Sequence, residues 1–474
     1  MYDVIVIGAG VVGSLIAREL SKYELKILVL EKDNDVGNQT SSSNSAIIHS
    51  GYDPKPNTLK ARLNVLGNSM YDKLASELDV AFKRIGSITI AFDENEKNTL
   101  KDLAERAKEN GVTVQLLNKE EVLKLEPFIS DKIVAGLYAP TAGIIDPFNL
   151  VVNAMENAID NGVELVLNEN VNKIIKEKDI FTINDKYQAK IVINASGVYS
   201  DYINDLVNKD NQFKILPRKG EYIVLNHFQQ PFITHTIFKV PSKNGKGVLI
   251  TPTTSNNYLI GPSAELVEKD DFSTDLKTII NIKNTANMMV KNIPYAETIR
   301  TFAGVRSTPS THDFIIEESS TKAFINVAGI ESPGLASAPA IAKMVIEDIL
   351  AKIIHLKEKK SFNPYVRKHI IINKLSFNEK MDMFKKNNAY GRIVCKCEKV
   401  TEGEILDALQ RSCPPKSIKG LKRRLRVGFG KCQGGMCQAE ALEIMANFYN
   451  VDKMKIPYDN EKSNILLNKT KEDE

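Results

Sequence analysis

The sequence predicts an α/β chain in three parts: a parallel-sheet domain, an antiparallel-sheet domain interleaved with it, and a small α domain that carries cysteines. Three observations predict this. An apolar run near the start breaks into a glycine turn, a helix and a second apolar run. Residues 215–300 alternate apolar and polar positions, the pattern of antiparallel strands with one covered face. None of the five cysteines precedes Cys395.

The first part rests on Val4-Ile5-Val6-Ile7, which reads as a buried parallel strand. It runs into Gly8-x-Gly10-x-x-Gly13, and Ser14 to Leu20 reads as the helix that follows. Lys26 to Leu30 is the next strand and ends on Glu31. Gly8 permits a tight turn, Gly10 lets backbone approach a pyrophosphate, and Gly13 lets helix and strand pack closely. The helix N-terminus offers unpaired N–H groups to phosphates, and Glu31 is placed for ribose hydroxyls. A lone glycine pattern is weak evidence. With both strands and the acid in order, it predicts a Rossmann-like fold and a bound adenine dinucleotide.

Composition bounds the rest. A chain of 474 residues is long enough for two or three domains. Sixty-three basic against 59 acidic residues give a net charge of +4, no case for a nucleic-acid partner. No run of about 18 apolar residues predicts a membrane span. The fingerprint opens at residue 4, so no leader is expected, and a cytoplasmic location is the expectation. Peripheral association with a membrane stays open.

Beyond Glu31, residues 37–45 are rich in Gly, Ser and Asn and read as a loop able to lie against a cofactor. Ala46-Ile47-Ile48 then leads to His49, a candidate base. Read alone, a structural histidine is the more economical account of it. Helices are predicted over 59–79, 94–110, 119–125 and 147–161, with strands over 85–92, 112–117, 163–167 and 171–184. The buried strand 189–197 ends in Asn194-Ala195-Ser196-Gly197, small residues that admit a ligand at the sheet edge. A helix over 273–292 precedes Arg300 and Phe302-Ala303-Gly304-Val305-Arg306. The strand Ala323 to Ala328 turns through Gly329-Ile330-Glu331-Ser332-Pro333-Gly334-Leu335 into a helix over 338–354. The positive end of that helix suits a developing negative charge. Residues 355–390 read as a charged linker and the tail after Val451 as polar and mobile.

Together the fingerprint, Asn44-Ser45-Ala46-Ile47-Ile48-His49-Ser50-Gly51, the strand ending Gly197, and the Gly329 to Leu335 turn resemble the FAD-dependent D-amino-acid-oxidase-like superfamily. Within it, Gly245-Lys246-Gly247-Val248, Gly261-Pro262-Ser263-Ala264 and Phe302 to Arg306 resemble bacterial glycerol-3-phosphate dehydrogenases and oxidases. The likeness covers roughly residues 1–355. It implies FAD, held by Gly8, Gly10, Gly13, Glu31, Lys32, Thr40, Ser41, Ser45, Ala46, Ile48, His49, Gly197, Gly329, Gly334 and Leu335. It implies an FAD domain of residues 1–84, 145–214 and 301–355, and a substrate domain of 85–144 and 215–300. His49 fits the base that takes an alcohol proton, since imidazole titrates near neutrality. Arg306 suits bidentate contact with an anionic substrate, Lys246 a point-charge contact and Ser332 a hydroxyl contact. Surface ion pairs are the plain alternative for both cations, and a covalent flavin link is the alternative for His49.

Cys395-x-Cys397 and Cys432-x-x-x-x-Cys437 form two close pairs able to hold zinc or an iron–sulfur cluster. With the glycines at 428, 430, 434 and 435 they resemble the bacterioferritin-associated-ferredoxin-like [2Fe–2S] domain, over 391–450. Zinc is the less expected occupant, and Cys413 reads as structural. The basic run Lys422-Arg423-Arg424-x-Arg426 reads as a solvated helix face, or as a docking patch for an electron-acceptor protein. The expected activity is FAD-dependent oxidation of glycerol 3-phosphate, electrons leaving through the cluster to a protein or quinone-linked acceptor. The alternatives are a 2-hydroxyglutarate or amino-acid substrate, and an electron-transfer subunit with no substrate of its own.

Overall fold

In a computed structural model that describes residues 1–209, 213–241 and 247–468, the first strand sits inside an eight-stranded sheet. Tyr2–Ile7 runs parallel to Ile27–Leu30 on one side and to Tyr187–Asn194 on the other. Glu164–Val166 and Phe324–Ala328 extend the parallel set outward. The central segments Val4–Ile7, Ile27–Leu30 and Ile191–Ile193 are wholly apolar because both faces are covered. Helices Val11–Leu20, Pro147–Asp160 and Gly334–Met344 contribute to one continuous core with Val4, Val6 and Ile193.

The second sheet has nine strands. Its spine is Ile215–Leu225, paired antiparallel with Thr298–Pro309 from Ile215 opposite Pro309 to Leu225 opposite Thr298. Two expectations need correction here. Residues from 301 were assigned to the cofactor domain, yet Thr298–Pro309 belongs to this sheet. The ladder with Ile215–Leu225 places it there, a long-range pairing that local pattern does not carry. The sheet is also not wholly antiparallel, since Thr236–Lys239 runs parallel to Ser87–Ala91. Ala135–Ala139, a strand the sequence reading passed over, closes Ser87–Ala91 on its other side.

The stretch expected to be a linker is mostly exposed but anchored at Val366, and its helix Phe377–Lys386 buries none of its residues. Val366 is buried in the first core, Arg18 Nη2 donates to the Pro364 carbonyl at 3.1 Å, and Ser376 caps helix Phe377–Lys386. The tail is held over its first residues, and 469–474 lie outside the described residues. Ile456 joins the C-terminal core, and Lys419 N–H donates to the Tyr458 carbonyl at 2.7 Å. Helices Glu402–Leu409, Ile418–Leu425 and Gln438–Tyr449 surround that core.

The basic run is neither a solvated face nor a docking patch. Lys422, Arg423 and Arg424 are buried, and Arg424 grips Asp35 of the first domain through two bonds of 2.7 and 2.8 Å. Burial alone would raise the Asp35 carboxyl, but Arg424 and Arg423 hold it below its usual range. A second buried pair, Arg411 with Glu156 at 2.9 Å, anchors the same domain. The partner carboxylates lie hundreds of residues away, so the sequence shows only the cations. Among the described residues no helix is long and apolar enough to cross a membrane.

One histidine ties this docking to pH. His369 Nε2 lies 3.2 Å from Asn153 Oδ1. Burial, then Arg411 nearby, pulls its pKa from 6.5 down to about 4. The folded chain therefore refuses a proton that the unfolded chain accepts below about pH 6.5. Stability is expected to fall progressively from about pH 6.5 towards 4, and His369→Gln should flatten that slope in urea unfolding.

Candidate active site and cysteine centre

The glycine turn does what its spacing predicts. Gly8 has φ +101°, and a Cβ there would lie 2.6 Å from the Ala195 carbonyl oxygen. A Cβ on Gly13 would lie 1.9 Å from the Gly8 carbonyl oxygen. A Cβ on Gly10 would meet Ser41 Oγ at 3.2 Å, a tight contact with a side chain that lines the same cavity. Beyond the turn lies a cavity of about 540 Å³, lined by Gly8, Gly10, Glu31, Lys32, Thr40, Ser41 and Gly197. Glu31 is buried and accepts from Ala9 N–H at 2.7 Å and Asp33 N–H at 2.9 Å. Burial pushes its carboxyl up to about 7. Lys32 sits over the Tyr199 ring at 4.1 Å.

This cavity adjoins a second one of about 200 Å³, and Gly10, Thr40, Ser41, Ala195 and Gly197 wall both; the pair is termed the flavin channel. The second holds Ser45, Ala46, His49, Arg306, Ser332, Gly334 and Leu335. His49 and Arg306, 257 positions apart in sequence, thus face one space. Asn64 and Asn68 donate to the His49 carbonyl at 2.7 and 3.0 Å, and its ring stacks on Phe238 at 5.7 Å. Arg306 Nη2 donates to the Ser263 carbonyl at 2.7 Å. A Cβ on Gly220 would lie 2.3 Å from that nitrogen, so glycine makes room for the guanidinium.

Two assigned cofactor contacts are corrected. Ile48 has no exposure and packs into the core, while Ile47 and His49 on either side line the channel. Strand alternation explains the exchange. Gly329 does not line the channel. Its φ is +65° and a Cβ would meet Pro309 Cβ at 2.5 Å, so it serves the turn. Lys246 lies outside the described residues. Tyr222 was missed. Its hydroxyl lies 2.9 Å from Ser45 Oγ, and its ring stacks on Phe302 at 4.8 Å. In sequence it is one apolar position of an alternating strand, with nothing to single it out.

The four cysteines fit a two-iron centre. Cys397 Sγ and Cys432 Sγ are 3.7 Å apart. Cys395 and Cys437 are buried beside each other, and burial followed by the Cys395 neighbour pushes the Cys437 thiol up to about 12. Among the described residues no three metal-ligating side chains gather around one point. A two-iron cluster needs thiolates for each iron rather than four around one ion. Backbone N–H groups of Met436 and Gly434 bond the Cys432 sulfur, and that of Gly428 bonds Cys437. A Cβ on Gly430 would lie 2.3 Å from Cys397 Cβ. Cys413 is buried against Arg424, as a structural cysteine should be.

A Rossmann-like domain with this channel and a cysteine centre defines a flavin oxidoreductase with an iron–sulfur module. Residues 3–347 match the FAD dependent oxidoreductase family, DAO, and the chain belongs to it. Residues 393–447 match the BFD-like [2Fe-2S] binding domain. The chain is 48% identical to a glycerol 3-phosphate dehydrogenase of Caloramator mitchellensis, over 99% of both chains. It is 37% identical to a glycerol 3-phosphate oxidase of Mycoplasma genitalium, over 76% of this chain and 97% of that one. Among solved structures it resembles the FAD-bound L-alpha-glycerophosphate oxidase of Mycoplasma pneumoniae. That match has a TM-score of 0.74 and 31% identity, and covers 78% of this chain and 99% of that one. FAD and [2Fe–2S] are therefore its cofactors, and both sites fit them.

Two consequences follow for binding. Gly13→Ala forces a methyl into the Gly8 carbonyl, and overpacking of this kind costs about 1–3 kcal/mol. Flavin affinity should fall roughly 10- to 100-fold, read as flavin content of the purified protein. Cys397→Ser should remove iron and the broad iron–sulfur absorption while the flavin bands persist.

Proposed function

We propose that the chain oxidises sn-glycerol 3-phosphate to dihydroxyacetone phosphate. The observation that carries this reading is that His49 and Arg306 line one cavity, which shares wall residues with the cavity beyond the glycine turn. The full-length likeness to a glycerol 3-phosphate dehydrogenase supports it. When bound, FAD supplies the hydride acceptor and the [2Fe–2S] cluster a one-electron carrier.

The chain's own residues do the remaining work. Arg306 binds the substrate phosphate, its fork orientation fixed by the Ser263 carbonyl. A ring nitrogen of His49 takes the proton of the substrate's secondary hydroxyl, which leaves an electron pair to form the product carbonyl. Ser332 and the N-terminus of helix Gly334–Met344 border the same space and favour developing negative charge there. Phe238 closes the cavity beside His49 and limits water. Electrons leave to a protein or quinone-linked acceptor, and the cytoplasm is the place of action.

Steady-state turnover with a one-electron dye tests the substrate. Glycerol 3-phosphate should exceed glycerol and L-2-hydroxyglutarate in kcat/KM by roughly 100-fold or more, the worth of a buried charged contact. A preference for 2-hydroxyglutarate would replace this reading. Failure of every substrate, with ready reduction by a protein partner, would make the chain an electron-transfer subunit.

A further inference from the structure

A cavity of about 470 Å³ lies where the first domain, the second sheet and the cysteine domain meet. Loop residues Ser43, Asn44 and Ala46 wall both this cavity and the flavin channel. Three cations face it without adequate counter-charge. Arg423 is 4% exposed, and its Nε and Nη1 have no hydrogen-bond partner. Its Nη2 reaches Asp35 only at 3.5 Å, because Arg424 already holds that carboxylate. Lys422 is 5% exposed, with Gln433 Oε1 at 3.5 Å and the Phe429 ring at 4.8 Å. Arg300 makes no side-chain hydrogen bond or ion pair among the described residues, and burial pulls its pKa down.

Of the wall's acids, Asp146 caps helix Pro147–Asp160 and Asp33 accepts from Gln39 at 2.7 Å. Asp459 binds Lys419 at 2.6 Å through Oδ2, and its Oδ1 stands 3.9 Å from Arg423 Nη1, a charge contact too long for a hydrogen bond. Arg300 and Lys422 line the same cavity, and burial, then Arg300, draws the Lys422 ammonium down to about 8. Buried positive charges left unpaired are costly, and an anion offsets that cost.

We propose that this junction binds a small organic phosphate at a site separate from the substrate pocket. Arg300, Lys422 and Arg423 take the phosphate, for which guanidinium forks are suited. The space exceeds what inorganic phosphate fills, and the rings of Phe148 and Phe429, 5.7 Å apart, border it for the organic body. Phe302 lines the junction and stacks on Tyr222, whose hydroxyl meets Ser45 in the flavin channel. Occupancy therefore bears on both the docking of the cysteine domain and the wall of the flavin channel.

The test uses the full-length holoprotein carrying Arg306→Ala, so that the substrate pocket holds anions poorly. Inorganic phosphate, ribose 5-phosphate and adenosine 5′-monophosphate are titrated by calorimetry and by thermal midpoint. A saturable response is expected for at least one phosphate ester, tighter than for inorganic phosphate. Adding Arg300→Gln or Lys422→Gln should weaken it by at least about tenfold, the loss of one charge-assisted contact. Arg300 is only half-buried, so its variant serves if Lys422→Gln does not fold. No saturable response to either ester, or a response unchanged by Arg300→Gln, overturns the proposal. Turnover is not read, so the outcome is independent of the substrate assignment.

Discussion

Arg306→Ala is expected to lower kcat/KM for glycerol 3-phosphate by roughly 10²- to 10⁴-fold with flavin still bound. The guanidinium can place two N–H donors on a phosphate in a sheltered cavity. Each such charged hydrogen bond contributes about 1.5–3 kcal/mol, and each 1.4 kcal/mol is tenfold in rate or affinity. Most of the loss should appear in KM if the contact is equal in ground and transition states. Gly220, whose missing Cβ leaves space for Arg306 Nη2, offers a check. Gly220→Ala should reproduce part of the defect by displacing the guanidinium. An unchanged KM and kcat in Arg306→Ala would remove this residue from the site.

His49→Ala is expected to lower kcat by roughly 10²- to 10⁴-fold, the usual range for a positioned general base. KM should change little, because Arg306 still holds the phosphate. Acid precipitation of the wild-type protein separates the other role considered for this histidine. Flavin released into the supernatant is free of a covalent link, whereas flavin retained in the pellet only when His49 is present would make it the attachment point.

The fold was most legible where one local signal settles one local structure. The glycine turn is such a case, since Gly8 and Gly13 are demanded by atoms that close approach brings near. The four cysteines are another only in part: their types and spacing mark the centre, but in space Cys397 meets Cys432 and Cys395 meets Cys437, across the two sequence pairs. Helix Lys119–Leu125 lies on its expected bounds, and the structure shows Asn118 and Glu121 forming its capping box. Legibility ended where long-range pairing decides. Thr298–Pro309 joins the second sheet through a ladder to Ile215–Leu225, which carries no local mark. The buried arginines of helix Ile418–Leu425 look solvated until Asp35 is seen opposite. Tyr222 enters the site through strand register, and Ile48 leaves it through the same alternation. In the site itself, residue types pointed to His49 and Arg306, but only the fold brings them to one cavity.

The most direct test is an anaerobic absorption titration of the purified holoprotein with glycerol 3-phosphate. The account predicts bleaching of the flavin bands, with partial bleaching of the broader iron–sulfur background as electrons reach the cluster. Intact flavin bands after addition of glycerol 3-phosphate, in protein that dithionite reduces fully, would contradict it.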